Sequence, residues 1–197
     1  MTDVFLNFID EWGYFAVALL MAMENACIPI PSELILGFAG YLIFAERMTF
    51  VGAMWAGMIG GLLGSIFAYE VGRRGGRPFV DRYGKYFFIK KSHVDFAQNW
   101  FDRYGLKAVF FSRMLPVVRT FISLPAGFAR MDRTKFFILT ILGSLPWTAL
   151  ILWLGRLLGE GWQIMMRVGH EISIAFAVLC LVAAFLCYRK YSKHRKN

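Results

Sequence analysis

Long apolar runs alternate with short polar stretches along the chain, and two of the runs are interrupted by charges and prolines. The first apolar block covers residues 13–45, too long for one ordinary span, and the stretch MENACIPIPSELIL breaks it near its middle. Its flanks, residues 13–23 and 34–45, hold 11 and 12 residues. At helical rise each flank reaches roughly 17 Å, about half of a ~30 Å hydrocarbon core. The pattern predicts a re-entrant hairpin that dips to mid-bilayer and returns, its broken backbone satisfied by protein or water. Residues 50–72 read as a full span, and GMIGGLLGS within it spaces small residues four apart, which lets another helix approach closely. Residues 73–107 form a polar connector in which Phe96, Trp100, Phe101 and Tyr104 mark one face of an amphipathic interfacial helix over residues 93–104. A second interrupted block, 105–128, predicts a second hairpin. Residues 136–155 and 172–188 are further spans, and 189–197 is a basic tail.

The chain repeats itself. DVFLNFIDEWGYFAV (Asp3–Val17) set above DFAQNWFDRYGLKAV (Asp95–Val109) gives six identities in fifteen positions. With gaps the correspondence continues: Pro29 with Pro116, Ala39–Gly40 with Ala126–Gly127, Gly64–Ser65 with Gly143–Ser144, and Val71–Arg73 with Leu154–Arg156. Each unit is an interfacial helix, a re-entrant hairpin and a transmembrane helix. Repeat one covers residues 3–73 and repeat two 95–156. The fold class is therefore an all-α integral membrane protein built as one domain from an inverted repeat, with one more transmembrane helix at its C-terminal end. Each unit crosses once, so tandem copies must be inverted.

Charge tests that topology. The connector carries nine Lys/Arg, the RMDRTK loop three and the tail five, which is 17 of 22 on one side. The opposite side has Arg47, Arg156 and Arg167. The positive-inside rule makes the basic side cytoplasmic and leaves the acidic N-terminus outside. The first hairpin then dips from outside and the second from inside.

Four ionisable groups meet near mid-membrane in this scheme: Glu24 and Glu33 from the first hairpin, Arg113 and Arg119 from the second. Unpaired, they would cost on the order of 10 kcal/mol on insertion scales. Facing each other or a wet cavity lowers that cost. Two guanidinium forks suit a phosphate, and a desolvated glutamate can exchange protons and couple transport to them. The alternative is a purely architectural Glu–Arg network that locks the hairpins together. Pro29, Pro31, Pro116 and Pro125, with Gly40 and Gly127, are assigned to hairpin shape.

Composition narrows the classes. The chain is 58% hydrophobic with a mean hydropathy of +0.52, well above soluble domains. Its net charge of +9 sits in loops, which fits anionic headgroups at the cytoplasmic face and not nucleic acid. Cys27, Cys180 and Cys187 lie in apolar segments and read as small hydrophobic residues. His93, His170 and His194 are isolated, so no metal site is expected. No nucleophile–base pattern or phosphate loop appears, and no cofactor is expected. The N-terminus lacks the basic region of a signal peptide. Small-residue spacing permits a homodimer and serves internal packing equally well.

The stretches around PIPSE and FSRMLPVVRTFISLPAGFARM, with eight residues between Glu24 and Glu33 and five between Arg113 and Arg119, resemble the bacterial DedA family of the wider SNARE-associated (VTT) superfamily. The resemblance implies a multi-pass protein of the bacterial cytoplasmic membrane with two opposing re-entrant hairpins. It implies a lipid transporter, not a hydrolase: a translocase for undecaprenyl phosphate, the carrier lipid of wall synthesis, from outer to inner leaflet. Family members are also linked to phosphatidylethanolamine flipping and to the proton motive force. The rivals are a phosphatidylethanolamine flippase, an undecaprenyl pyrophosphate phosphatase-like enzyme, against which the chain lacks a serine motif of the PGxSRS kind, and a non-transporting envelope scaffold.

Overall fold

The computed structural model describes residues 2–28, 30–83, 109–115 and 118–162, all of them in helices or the turns between them. The elements are α1 (Thr2–Asn25), α2 (Ser32–Phe44), α3 (Phe50–Tyr83), a helical segment at 109–113, α4 (Val118–Phe121), α5 (Ser123–Phe128) and α6 (Arg133–Leu158), which ends in a 3-10 turn at Gly159–Gly161. Three stretches are long and apolar enough to cross a membrane: Val4–Asn25, Phe50–Gly75 and Arg133–Gly161.

The first of these is not straight. Gly13 takes φ 54 and ψ −127 inside α1, a conformation that glycine adopts without a Cβ clash. The kink separates the first turns of α1 from residues 14–25. That straight part holds a dozen residues, about 18 Å of helix.

Three helices end in the same way. After α1, Cys27 N–H donates to Glu24 O at 3.0 Å and Ile28 N–H to Met23 O at 3.1 Å. After α2, Glu46 bonds Ile43 O and Arg47 bonds Leu42 O; after α5, Arg130 bonds Gly127 O and Met131 bonds Ala126 O. This is the Schellman arrangement, which satisfies terminal carbonyls through a left-handed residue. Here that residue is not glycine: Cys27, Glu46 and Arg130 have φ of 72, 59 and 50. Pro31 then caps α2, where its missing N–H costs nothing. Pro125 occupies the first turn of α5, where an N–H would have no intrahelical acceptor. Pro146 interrupts the α6 hydrogen-bond ladder.

Packing runs between halves as well as within them: α1 lies on α3, α2 on α6, and α5 on α3. The contacts are backbone to backbone. A Cβ on Gly40 would strike Leu152 O, Gly155 Cα and Arg156 N; one on Gly127 would strike Tyr69 O, Gly72 Cα and Arg73 N. Gly60 and Gly64 press on the carbonyls of Ala18 and Ala22 in α1. Gly40 and Gly127, expected to shape the hairpins, lie inside α2 and α5 and act as helix contacts. One core gathers Val17, Leu20, Ile35, Leu36, Leu42 and Leu152; a smaller one gathers Tyr69, Val109, Ile122 and Phe136.

The outer faces are apolar. On α3, Val51, Trp55, Ile59, Leu63, Phe67 and Val71 are exposed at four-residue intervals, and α6 exposes Ile138, Leu142, Leu145 and Trp153. Such a surface suits lipid, not water. The polar ends are tied by ion pairs: Arg133 to Glu70 at 2.8 Å, Arg74 to Glu70 at 3.4 Å, and Arg47 to Asp10.

One boundary differs from the sequence reading. The connector was expected to start at residue 73, yet α3 continues to Tyr83. Polar residues there do not stop a helix, because a helix leaving the bilayer keeps its internal hydrogen bonds in water. The amphipathic helix 93–104, the last span 172–188, the tail 189–197, Pro29 and Pro116 lie outside the described residues.

Gly40→Leu and Gly127→Leu should each destabilise the fold by at least about 1–3 kcal/mol, because a side chain must push two backbones apart. Gly61→Ala should be tolerated, since its Cβ would first meet Asn25 Nδ2 at 3.4 Å. Thermal unfolding in detergent checks both outcomes.

Candidate functional site

Two chain breaks face each other inside the helix bundle. The first follows α1, whose last two residues are Glu24 and Asn25. The second follows the helical segment 109–113, whose last residue is Arg113; Arg119 comes from α4 beyond it. All four side chains are buried, Arg113 at 1% exposure, Arg119 at 3%, Glu24 and Asn25 at 4%.

Arg119 and Glu24 form a two-point ion pair. Nη2 of Arg119 lies 3.0 Å from Glu24 Oε1 and 2.8 Å from Oε2. The guanidinium also lies over the Trp147 ring, 5.5 Å from its centroid, a favourable place for a cation.

Arg113 is held differently. Nη1 donates to Asn25 Oδ1 at 3.3 Å, Ser65 Oγ at 3.0 Å and the carbonyl of Arg119 at 2.9 Å. Nη2 donates to Ser123 Oγ at 2.9 Å and Thr140 Oγ1 at 3.2 Å. Phe136 lies 5.6 Å from the guanidinium carbon. Every one of these acceptors is neutral. A buried guanidinium is tolerated when its forked donors are met, but its charge has no carboxylate in contact among the described residues.

Asn25 joins the two arginines. Its Nδ2 donates to Glu24 Oε2 at 3.2 Å and to Met21 O at 3.0 Å, while its Oδ1 faces Arg113 and Ser65. A small cavity opens beside this cluster, lined by Met21, Asn25, Met58, Arg113, Arg119, Ser144 and Thr148 among others. It is about the size of one water molecule. Three buried donors around the cluster have no acceptor among the described residues: Arg113 Nε, Arg119 Nε and Trp147 Nε1. Buried donors without partners are rare and costly, so among the described residues the cluster is short of acceptors and of negative charge.

Three of the four predicted residues therefore come together. Glu33 does not join them by an ion pair with any described residue. It is half-buried in the first turn of α2, 3.5 Å from Ser32 Oγ. The sequence reading missed Asn25, Ser123, Thr140 and Trp147, and saw Ser65 only as a packing residue. Lone polar residues within apolar runs were the available signal for Thr140 and Asn25; nothing in the pattern marks Trp147.

A family model for the VTT domain matches residues 30–157. The chain belongs to the VTT-domain, or DedA, family. This VTT-domain protein is similar to undecaprenyl phosphate transporter A of Bacillus subtilis, 42% identical over 93% of the chain and 90% of that relative. It is 30% identical to undecaprenyl phosphate transporter A of Staphylococcus aureus, over 100% of the chain and 99% of the relative. A Lactococcus lactis relative named alkaline phosphatase-like protein is 34% identical over 99% of the chain and 94% of its own length. No solved structure matches. Family, bacterial relatives and three apolar helices together make this a bacterial membrane protein.

Glu24→Ala should destabilise the protein by about 3 kcal/mol, because it strands the Arg119 charge in the interior. Adding Arg119→Ala should recover part of that loss. A double-mutant cycle on unfolding free energies checks the coupling.

Proposed function

We propose that this protein translocates a lipid phosphate, undecaprenyl phosphate, from the outer to the inner leaflet of the bacterial cytoplasmic membrane. The observation that carries the reading is the charge balance of the buried cluster. Among the described residues only one of the two guanidiniums, Arg119, has a carboxylate in contact, Glu24, and three buried donors have no acceptor. An anionic group with several acceptor oxygens supplies what is lacking, and guanidinium forks match phosphate geometry. The two relatives named undecaprenyl phosphate transporter A, one of them 42% identical, favour this lipid over others.

The headgroup would displace the Glu24 carboxylate from Arg119 while the isoprenoid tail stays in lipid. Released from its partner, Glu24 can take a proton, which would couple the step to the proton gradient; Glu33, unpaired nearby, is the second candidate for that role. Arg113 supplies a fixed charge and Arg119 an exchangeable one.

Access from both leaflets fits an inverted repeat with two re-entrant hairpins. Its support is an exchange of equivalent contacts. Gly40 meets Leu152, Gly155 and Arg156 as Gly127 meets Tyr69, Gly72 and Arg73. Asn25 Cβ stands against Gly64 as Arg113 Cβ stands against Gly143. Each hairpin thus uses its first leg on its own span and its second leg on the other repeat's span. The orientation, N-terminus outside and basic faces inside, follows the charge distribution.

In proteoliposomes at a set proton gradient, Arg119→Ala, assayed on the folded fraction isolated in detergent, should reduce undecaprenyl phosphate translocation at least about tenfold. Translocation at the wild-type rate in that variant refutes the reading. Release of inorganic phosphate from undecaprenyl pyrophosphate by the purified protein would favour a phosphatase instead.

A further inference from the structure

We propose that Asn25 is a specificity-determining residue: its neutral amide keeps a carboxylate away from Arg113 and so makes the site select a phosphate-monoester lipid over a zwitterionic phospholipid. The proposal deepens the reading above and rests on it.

The chemistry of the neighbours fixes the amide's orientation. Arg113 can only donate, so the atom 3.3 Å from its Nη1 must be the carbonyl oxygen, Oδ1. An ionised Glu24 can only accept, so the atom 3.2 Å from its Oε2 must be the amino nitrogen, Nδ2. Met21 O at 3.0 Å accepts the second amide proton. All four hydrogen-bonding directions of the side chain point at defined partners, and Asn25 is buried at 4% exposure. It also lines the cavity beside both arginines.

An aspartate at this place would be nearly isosteric and would still accept from Arg113. It would add a second carboxylate to the cluster, in contact with Arg113, and balance the two guanidinium charges. The present residue does neither. Asn25 therefore satisfies the geometry of Arg113 without satisfying its charge, and the other four acceptors, Ser65, Ser123, Thr140 and a backbone carbonyl, behave alike. Selection by charge follows. A phosphate monoester brings net negative charge to a site with a surplus cation. A zwitterionic head brings an ammonium as well, which meets the same surplus as repulsion.

Asn25 also occupies the place in the first half that Arg113 occupies in the second, each with its Cβ against a span glycine, Gly64 and Gly143. The two equivalent side chains meet each other directly. One carries the charge and the other carries the acceptor that leaves the charge unspent.

The test uses the full chain in lipid nanodiscs, titrated separately with undecaprenyl phosphate and phosphatidylethanolamine and read by native mass spectrometry. Wild type should prefer the phosphate lipid. Asn25→Asp should lower the ratio of the two affinities at least about tenfold, because the added carboxylate repels phosphate and attracts the ammonium. Asn25→Ala removes the packing and hydrogen bonds but leaves the charge count alone, so it should weaken both lipids with the ratio kept within about twofold. Ser123→Asp brings a carboxylate to Arg113 from α5 and should reproduce the ratio change, which covers the case in which Asn25→Asp does not fold. A wild-type preference that survives unchanged in whichever of the two acidic variants folds overturns the role of Asn25. A wild type without preference for the phosphate lipid overturns the transport reading itself.

Discussion

A guanidinium cannot be left bare inside a helix bundle in lipid, and much of this architecture follows from how Arg113 is accommodated. Its two Nη groups are met from α1 by Asn25, from α3 by Ser65, from α4 by a backbone carbonyl, from α5 by Ser123 and from α6 by Thr140. Five elements thus converge on one side chain. The planar fork makes that possible, because it offers its N–H groups in fixed directions to partners on several sides. Lysine, a single ammonium on a flexible stem, could not join so many elements with the same geometry. Only α2 stands apart, and it is fastened through its close approach to α6 at Gly40 and Gly155.

The neighbouring cation is bound by another principle. Arg119 meets a carboxylate at two points and an indole face, so its charge is cancelled and not merely solvated. The same residue type thus appears in two settings within one cluster, one ion-paired and one held by neutral acceptors alone. Asn25 connects them: its Nδ2 donates to Glu24, the partner of Arg119, and its Oδ1 accepts from Arg113.

Around the charges the bundle is held by close backbone contact as well as by packed side chains. Lipid supplies no hydrophobic drive for helices to associate, so glycine contacts and buried hydrogen bonds carry more of the adhesion. Gly60 and Gly64 let α1 lie directly on α3; Gly72 and Gly155 do the same for α5 and α2. The Schellman ends after α1, α2 and α5 place Cys27, Glu46 and Arg130 in the left-handed region, a local strain of about 1 kcal/mol each.

Much of this plan is written in the order of residues. Apolar run length predicted the helices around residues 13–23, 34–45, 50–72 and 136–155, since hydrocarbon thickness and helical rise are fixed quantities. The breaks followed from prolines and charges inside apolar runs, and Glu24, Arg113 and Arg119 from the cost of charge in lipid. The small-residue spacing showed that helices approach closely. Pairing was beyond reach: nothing in the pattern says that Glu24 chooses Arg119, that Arg113 takes only neutral acceptors, or that Glu33 stays outside the ion pair. Those outcomes depend on distances between residues up to 95 positions apart, which packing alone sets. Asn25, Ser123, Thr140 and Trp147 gain their roles only there, because a single polar or aromatic residue in an apolar run carries no sign of what it will face. Chain order determined which charges the membrane must conceal; the tertiary structure decided which of them meets a carboxylate and which meets only neutral acceptors, because packing alone sets those distances.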